Sequence, residues 1–246
     1  MPRKMSEDRK QSVLDHLQEL RRRLIRSIIA IAVASVIAFV FYDWIFYILK
    51  LPTQGINLVY IEMTEMIGTI MKVCLFAGII LAMPYLVYQG IMFVSPALTS
   101  REKKYVYIIL PWIALMFMGG VVFGYFVLIP PATRFLISFG ADIASPEIRV
   151  GNYVAVVARL LLAIGIVFEM PVITTFLARL GVLKPQWLSK HRRLAIIFAF
   201  ILAAIITPTF DPINQSLVAI PLIVLYEMSI WLAKLVQKRP PAEEAA

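Results

Sequence analysis

The sequence predicts an all-α polytopic membrane protein, a bundle of six transmembrane helices, and three observations carry that prediction. Hydrophobic residues make up 61% of the 246 and charged residues only 16%, with a mean hydropathy of +0.83, whereas a soluble domain is about half apolar and about a quarter charged. The apolar residues gather into six runs, and crossing a hydrocarbon core of roughly 30 Å takes about 20 residues of helix. Most of the basic residues fall at the two ends of the chain and in every second connection between those runs.

The elements follow in order. Ser12 to Arg23 reads as a short amphipathic helix at the membrane surface: Ser12 and Asp15 resemble a capping box, and Leu14, Leu17, Leu20 and Leu24 share one face. The first span runs from Leu24 to Leu49, with Asp43 near its far end, and the second from Val73 to Val94. The third runs from Tyr105 to Ala132, and the fourth from Tyr153 to Leu183, interrupted by Arg159, Glu169 and Arg179. Leu194 to Thr207 is the fifth, ended by Pro208, Asp211 and Pro212, and Ile213 to Ala233 is the sixth. At about 1.5 Å per residue the fifth rises some 20 Å, less than the hydrocarbon thickness. It either spans as a short helix or forms a re-entrant hairpin with the sixth; both return the chain to its starting side. Residues 1–246 are expected to form a single integral membrane domain, with 1–23 as an amino-terminal segment, 24–233 as the bundle and 234–246 as a tail.

Interior prolines at Pro84, Pro111, Pro171 and Pro221 should bend or unwind their helices, because each removes a backbone donor. Gly120 and Gly124, four apart in the third span, argue for close helix packing. Of the 24 Lys and Arg, nineteen lie before the first span, between the second and third, around the fourth-to-fifth connection or after the sixth. The positive-inside bias therefore places both termini in the cytoplasm.

Several function classes are excluded. The net charge of +9 reflects basic loops of a membrane protein, not a nucleic-acid surface. Cys74 is single, so no intrachain disulfide or thiolate cluster forms, and His16 and His191 are isolated. There is no His-Glu-x-x-His, no Gly-x-Ser-x-Gly and no phosphate-binding glycine loop, so neither an enzyme nor a cofactor is expected.

Three carboxylates remain as candidates. Glu169 sits mid-span, where a charge costs at least about 2.5 kcal/mol. It should face a cavity or a partner, or else be neutralised by Arg159 or by protonation and hold helices together. Glu19 lies off the leucine face of its helix, either pairing with Arg22 or Arg23 at helical spacing or serving as a site. Glu102, flanked by Arg101, Lys103 and Lys104, is a solvated loop carboxylate or a site.

Family likeness enters at several separated motifs. His16-Leu17-Gln18-Glu19-Leu20-Arg21-Arg22-Arg23-Leu24 resembles the amino-terminal signature of the TatC family, the receptor core of the twin-arginine translocase. Phe93-Val94-Ser95-Pro96-Ala97-Leu98 followed by Glu102, Phe168-Glu169-Met170-Pro171, and Ala219-Ile220-Pro221 with Tyr226-Glu227 resemble later signatures of the same family, in order along the chain. The resemblance implies a curved bundle whose last two helices are short. It implies a cytoplasmic site for twin-arginine signal peptides of folded precursors, built from Glu19, Arg21, Phe93 and Glu102, and an intramembrane polar groove at Glu169. Contacts around Gln215 and Asp211 would receive single-span partners of the TatA and TatB type, in a homo-oligomeric complex of the bacterial cytoplasmic (inner) membrane driven by the proton gradient. The loop Thr207 to Pro212 departs from the pattern, with Thr-Phe where many relatives have proline before the Asp. From the residues alone, a proton-coupled small-molecule transporter with Glu169 as carrier group is the rival reading.

Overall fold

The computed structural model describes residues 2–53, 58–94, 100–138, 147–207 and 211–236. Ten α-helices carry the described chain: α1 (Pro2–Val40), α2 (Tyr42–Lys50), α3 (Glu65–Val94), α4 (Ser100–Phe123), α5 (Ile129–Ser138), α6 (Val150–Phe168), α7 (Met170–Arg179), α8 (Pro185–Lys190), α9 (Arg192–Ile206) and α10 (Pro212–Val236). Five stretches are long and apolar enough to cross a membrane: His16–Val40, Glu65–Phe93, Tyr107–Phe135, Val150–Arg179 and Pro212–Val236. α9 is the remaining apolar segment, the fifth in chain order, and its 15 residues rise only about 22 Å.

Three expectations are corrected by this architecture. The surface helix expected from Ser12 to Arg23 is not separate, because α1 runs unbroken from Pro2 to Val40. No Gly or Pro occurs between Ser12 and Val40, so nothing in that stretch stops the helix. The first span breaks instead at Phe41, so Asp43 falls in the first turn of α2. Of the two last helices expected to be short, only α9 is; α10 has 25 residues. It starts firmly, with Asp211 accepting from the Asn214 backbone N–H at 2.7 Å and Pro212 as its first residue, the arrangement of an N-cap followed by a pre-set proline.

Prolines act unequally. Pro84, Pro111 and Pro221 sit inside continuous helices, whereas Pro171 accompanies a break at Glu169 between α6 and α7. Between α4 and α5 the helix widens into a π-helical turn at Gly124–Leu128. Pro130 and Pro131 follow at once and withhold the backbone donors of two successive residues, which loosens the ordinary ladder there.

α6 is the centre of the bundle. Its buried residues include Tyr153, Val154, Val157, Leu160, Leu161, Ile164 and Gly165, which recur at helical spacing on one broad face, the face turned to the neighbouring helices. α4 lies against it antiparallel: a Cβ on Gly120 would fall 2.8 Å from Phe168, and one on Gly165 would fall 2.6 Å from Phe117. Gly124 is likewise close to Leu161, so the close packing expected of Gly120 and Gly124 is present, with Gly165 as its counterpart on α6. α1 is the periphery; Ile28, Ile29, Val33, Val36 and Ile37 are all exposed, the surface a helix presents to lipid.

Candidate functional site

α1 and α3 run antiparallel in a register fixed by three contacts. Ser35 meets Gly78, Arg23 meets Gln89, and the His16 and Phe93 rings stack with centroids 4.3 Å apart. The register brings two separate signatures of the sequence to one end of the bundle. There a polar cavity of about 290 Å³ is lined by Gln18, Glu19, Arg22, Arg23 and Arg26.

Glu19 is paired with Arg23, one turn away, whose Nε donates to Glu19 Oε1 at 3.0 Å. Arg23 is one of the two partners the spacing allows, and both Arg22 and Arg23 line the cavity. Arg21 is exposed, and two residues from Glu19 it points to another side of the helix. Phe93 is half-buried under His16. Glu102 falls in the first turn of α4, and its side chain lies outside the described residues.

Glu169 is only 1% exposed. It sits at the α6–α7 break, and neither carboxylate oxygen has a hydrogen-bond partner among the described residues. Arg159 does not neutralise it: the guanidinium is exposed and donates from Nε to the Ala155 carbonyl at 3.1 Å, ten residues or about 15 Å of helix away. Glu169 is thus enclosed by the chain itself rather than open to a groove.

Between α9 and α10 lies an open apolar groove of about 640 Å³, lined by Ile197, Phe200, Ile201, Ala204 and Ile205, with Gln215 as its polar residue. The Gln215 amide donates to the Phe200 carbonyl at 3.0 Å, tying the two helices together. Asp211 caps α10, its second oxygen accepting from Asn214 Nδ2 at 3.0 Å. Its neighbours 208–210 lie outside the described residues.

At the opposite end the sequence reading missed a cluster. Arg149 donates to Glu65 at 2.9 Å and to Glu62 at 3.2 Å, beside the parallel pairing of β1 (Leu58–Val59) with β2 (Ile148–Arg149). Glu65 also accepts from the backbone N–H of Ile61. Hydrogen bonds from Arg149 to Glu65 and then Glu62 hold the guanidinium above its ordinary pKa, so the bridge stays charged. The only signal in the sequence was three charges at the edges of apolar runs, and nothing local pairs residues 84 apart.

Comparison with known proteins decides what this arrangement belongs to. The family model for the Sec-independent protein translocase protein (TatC) matches residues 15–221. The chain belongs to the TatC family. A TatC from Carboxydothermus hydrogenoformans is 40% identical over 235 residues, covering 95% of this chain and 97% of its own. One from Aquifex aeolicus is 41% identical over 231 residues, 92% of this chain and 95% of that one. The crystal structure of the twin-arginine translocase receptor TatC matches with a TM-score of 0.80 at 41% identity, over 90% of this chain and 99% of that chain. This chain is therefore a multi-pass helical membrane protein and a component of a Sec-independent protein translocase, not an enzyme, and TatC membership displaces the small-molecule transporter reading.

Proposed function

We propose that this TatC-family chain is the receptor core of a twin-arginine translocase. It binds the twin-arginine signal peptides of folded precursors and nucleates the translocation complex. The observation that supports this reading is the Glu19–Arg23 pair lining a polar cavity of α1, at the end of the bundle where Phe93 stacks on His16. A carboxylate that already accepts a guanidinium in the folded chain has the geometry to accept another. Arginine is the residue such a site favours, since its planar fork matches a carboxylate more directionally than lysine does.

The basic end of the bundle faces the cytoplasm of a bacterial cell, with both termini there, by the distribution of Lys and Arg. Glu19 and Glu102 take the two signal arginines, Arg21 and the neighbouring cations repel unrelated basic peptides, and Phe93 packs on the apolar part of the signal. The groove at Gln215, with Asp211 at its end, receives a single-span helix of the TatA or TatB type: it is apolar, helix-lined and open, and one polar residue gives it register. Glu169 is the intramembrane polar group that transport uses, with energy from the proton gradient.

Photo-crosslinking from positions 93 and 102 to a precursor tests the reading. Adducts should form with the paired-arginine signal and be lost when both arginines are replaced. Equal adducts with and without the arginines contradict it.

A further inference from the structure

Glu19 is not an open carboxylate. Arg23 donates to it from Nε at 3.0 Å and also from Nη2, and both bonds end on the same oxygen, Oε1. The remaining nitrogen, Nη1, donates to Gln89 Oε1 at 3.2 Å. Gln89 in turn donates from Nε2 to the Tyr85 hydroxyl at 2.6 Å. Gln89 is 5% exposed and belongs to a different helix from Glu19, so the relay ties the carboxylate on α1 to the body of α3.

An ordinary i,i+4 ion pair at a surface is loose and contributes little. This one is held at both ends. With a buried amide fixing one side of the guanidinium plane, the fork meets Glu19 Oε1 from one direction, and pinning that oxygen restricts how far the carboxylate can swivel. Oε1 is then engaged by the resident arginine, which leaves Oε2 as the oxygen Arg23 does not use, on a side chain that lines the cavity with Gln18, Arg22 and Arg26. The direction of the carboxylate matters for what it selects. A carboxylate whose swivel is restricted rewards a planar, directional donor, whereas one free to swivel serves a compact ammonium about as well.

We propose that Arg23, anchored by Gln89 and Tyr85, is a positioning residue that presents Glu19 Oε2 to an arginine of the bound peptide and so sets the preference for arginine over lysine. This rests on the reading of Glu19 as a signal contact. Arg23, Gln89 and Tyr85 do not themselves touch the signal; they act through the orientation of Glu19.

The test uses the full-length protein in lipid nanodiscs and two synthetic signal peptides, one with the Arg-Arg pair and one with Lys-Lys. Affinities are measured for the wild type, Glu19→Gln, Arg23→Lys, Gln89→Met and Tyr85→Phe. Gln89→Met and Arg23→Lys should lower the arginine-to-lysine affinity ratio about fivefold, the worth of roughly one hydrogen bond, chiefly by weakening the arginine peptide. Tyr85→Phe, which removes a single hydroxyl and keeps the ring, should shift the ratio the same way and serves if Gln89→Met fails to accumulate. A fall in both affinities together, with the ratio unchanged, means that the relay is only structural and overturns the proposal. Tighter binding of both peptides to Arg23→Lys also overturns it, since Arg23 would then be a competitor. If Glu19→Gln binds both peptides like the wild type, the underlying reading of Glu19 fails as well, an outcome distinct from the others.

Discussion

Gly78 of α3 lies against Ser35 of α1 with no space for a side chain: a Cβ there would fall 2.2 Å from Ser35 Oγ and 2.6 Å from its backbone nitrogen. That crossing point sets how far α3 slides along α1. It therefore determines whether Gln89 reaches Arg23, about three turns further along the same two helices, and whether Phe93 reaches His16, about four to five turns along.

Gly78→Val should accordingly cost stability through overpacking, typically about 1 to 3 kcal/mol, and weaken signal binding by disturbing the register. Gly68→Ala, on the same helix with nothing within 4 Å of the added methyl, is the control and should leave both unchanged. Thermal unfolding in detergent and peptide binding on the same samples check this. Equal behaviour of the two variants means that the crossing is not what holds the register.

Glu169→Gln should leave the protein inserted and folded. Neither oxygen has a partner to lose among the described residues, and the amide removes a charge that costs at least about 2.5 kcal/mol at mid-membrane. Transport should nonetheless fall. Failure to accumulate in the membrane supports a purely structural role, and full transport removes Glu169 from the mechanism.

Arg149→Met leaves Glu62 and Glu65 facing each other without their shared cation, so it should lower the unfolding temperature. The combined Arg149→Met, Glu65→Gln change should be milder than Arg149→Met alone, because a group left unpaired is penalised more than a pair removed together. A double variant that is worse than the single argues that Glu65 acts independently, through its contacts with Ile61 and Gly151.

Much of the bundle was legible because the membrane imposes a length and a composition that a sequence cannot hide. The six apolar runs, the shortness of α9 and the glycine contacts of α4 were read from residues alone. The break at Phe41 was not, since hydropathy counts apolar residues and does not see where a helix ends; α10 was expected short from the family likeness, although its apolar run, Ile213 to Ala233, is long enough to span. Pro84 and Pro171 look alike in sequence, yet only the second sits at a break, because the surrounding packing decides whether a missing donor is absorbed. The same limit applies to the site. Glu19 and Phe93 stood out by motif, while Gln89 and Tyr85 did not: an amide and a phenol on a separate helix acquire a role only when Gly78 brings that helix close.

The short α9 gives a further expectation. Its rise of about 22 Å falls some 8 Å short of a hydrocarbon core of roughly 30 Å, so the bilayer should thin around it or the hairpin should stop before the far side. A cysteine at position 210 in a Cys74→Ser background reports which. Reaction with an impermeant thiol reagent from the far side shows that α9 spans with local thinning; reaction from the cytoplasmic side only contradicts spanning.

The central claim is that two carboxylates of this chain read paired arginines. Its direct measure is the affinity of the full-length protein for arginine and lysine forms of one signal, with Glu19→Gln and Glu102→Gln beside the wild type. Losing a hydrogen bond to a charged group costs about 1.5 to 3 kcal/mol, or roughly tenfold or more in affinity. Each variant should therefore weaken the arginine signal by that factor, and replacing the signal's arginines by lysines should weaken binding to the wild type more than to either variant. A parallel fall for arginine and lysine signals in every variant would contradict the account, because these glutamates would then not be what distinguishes the two.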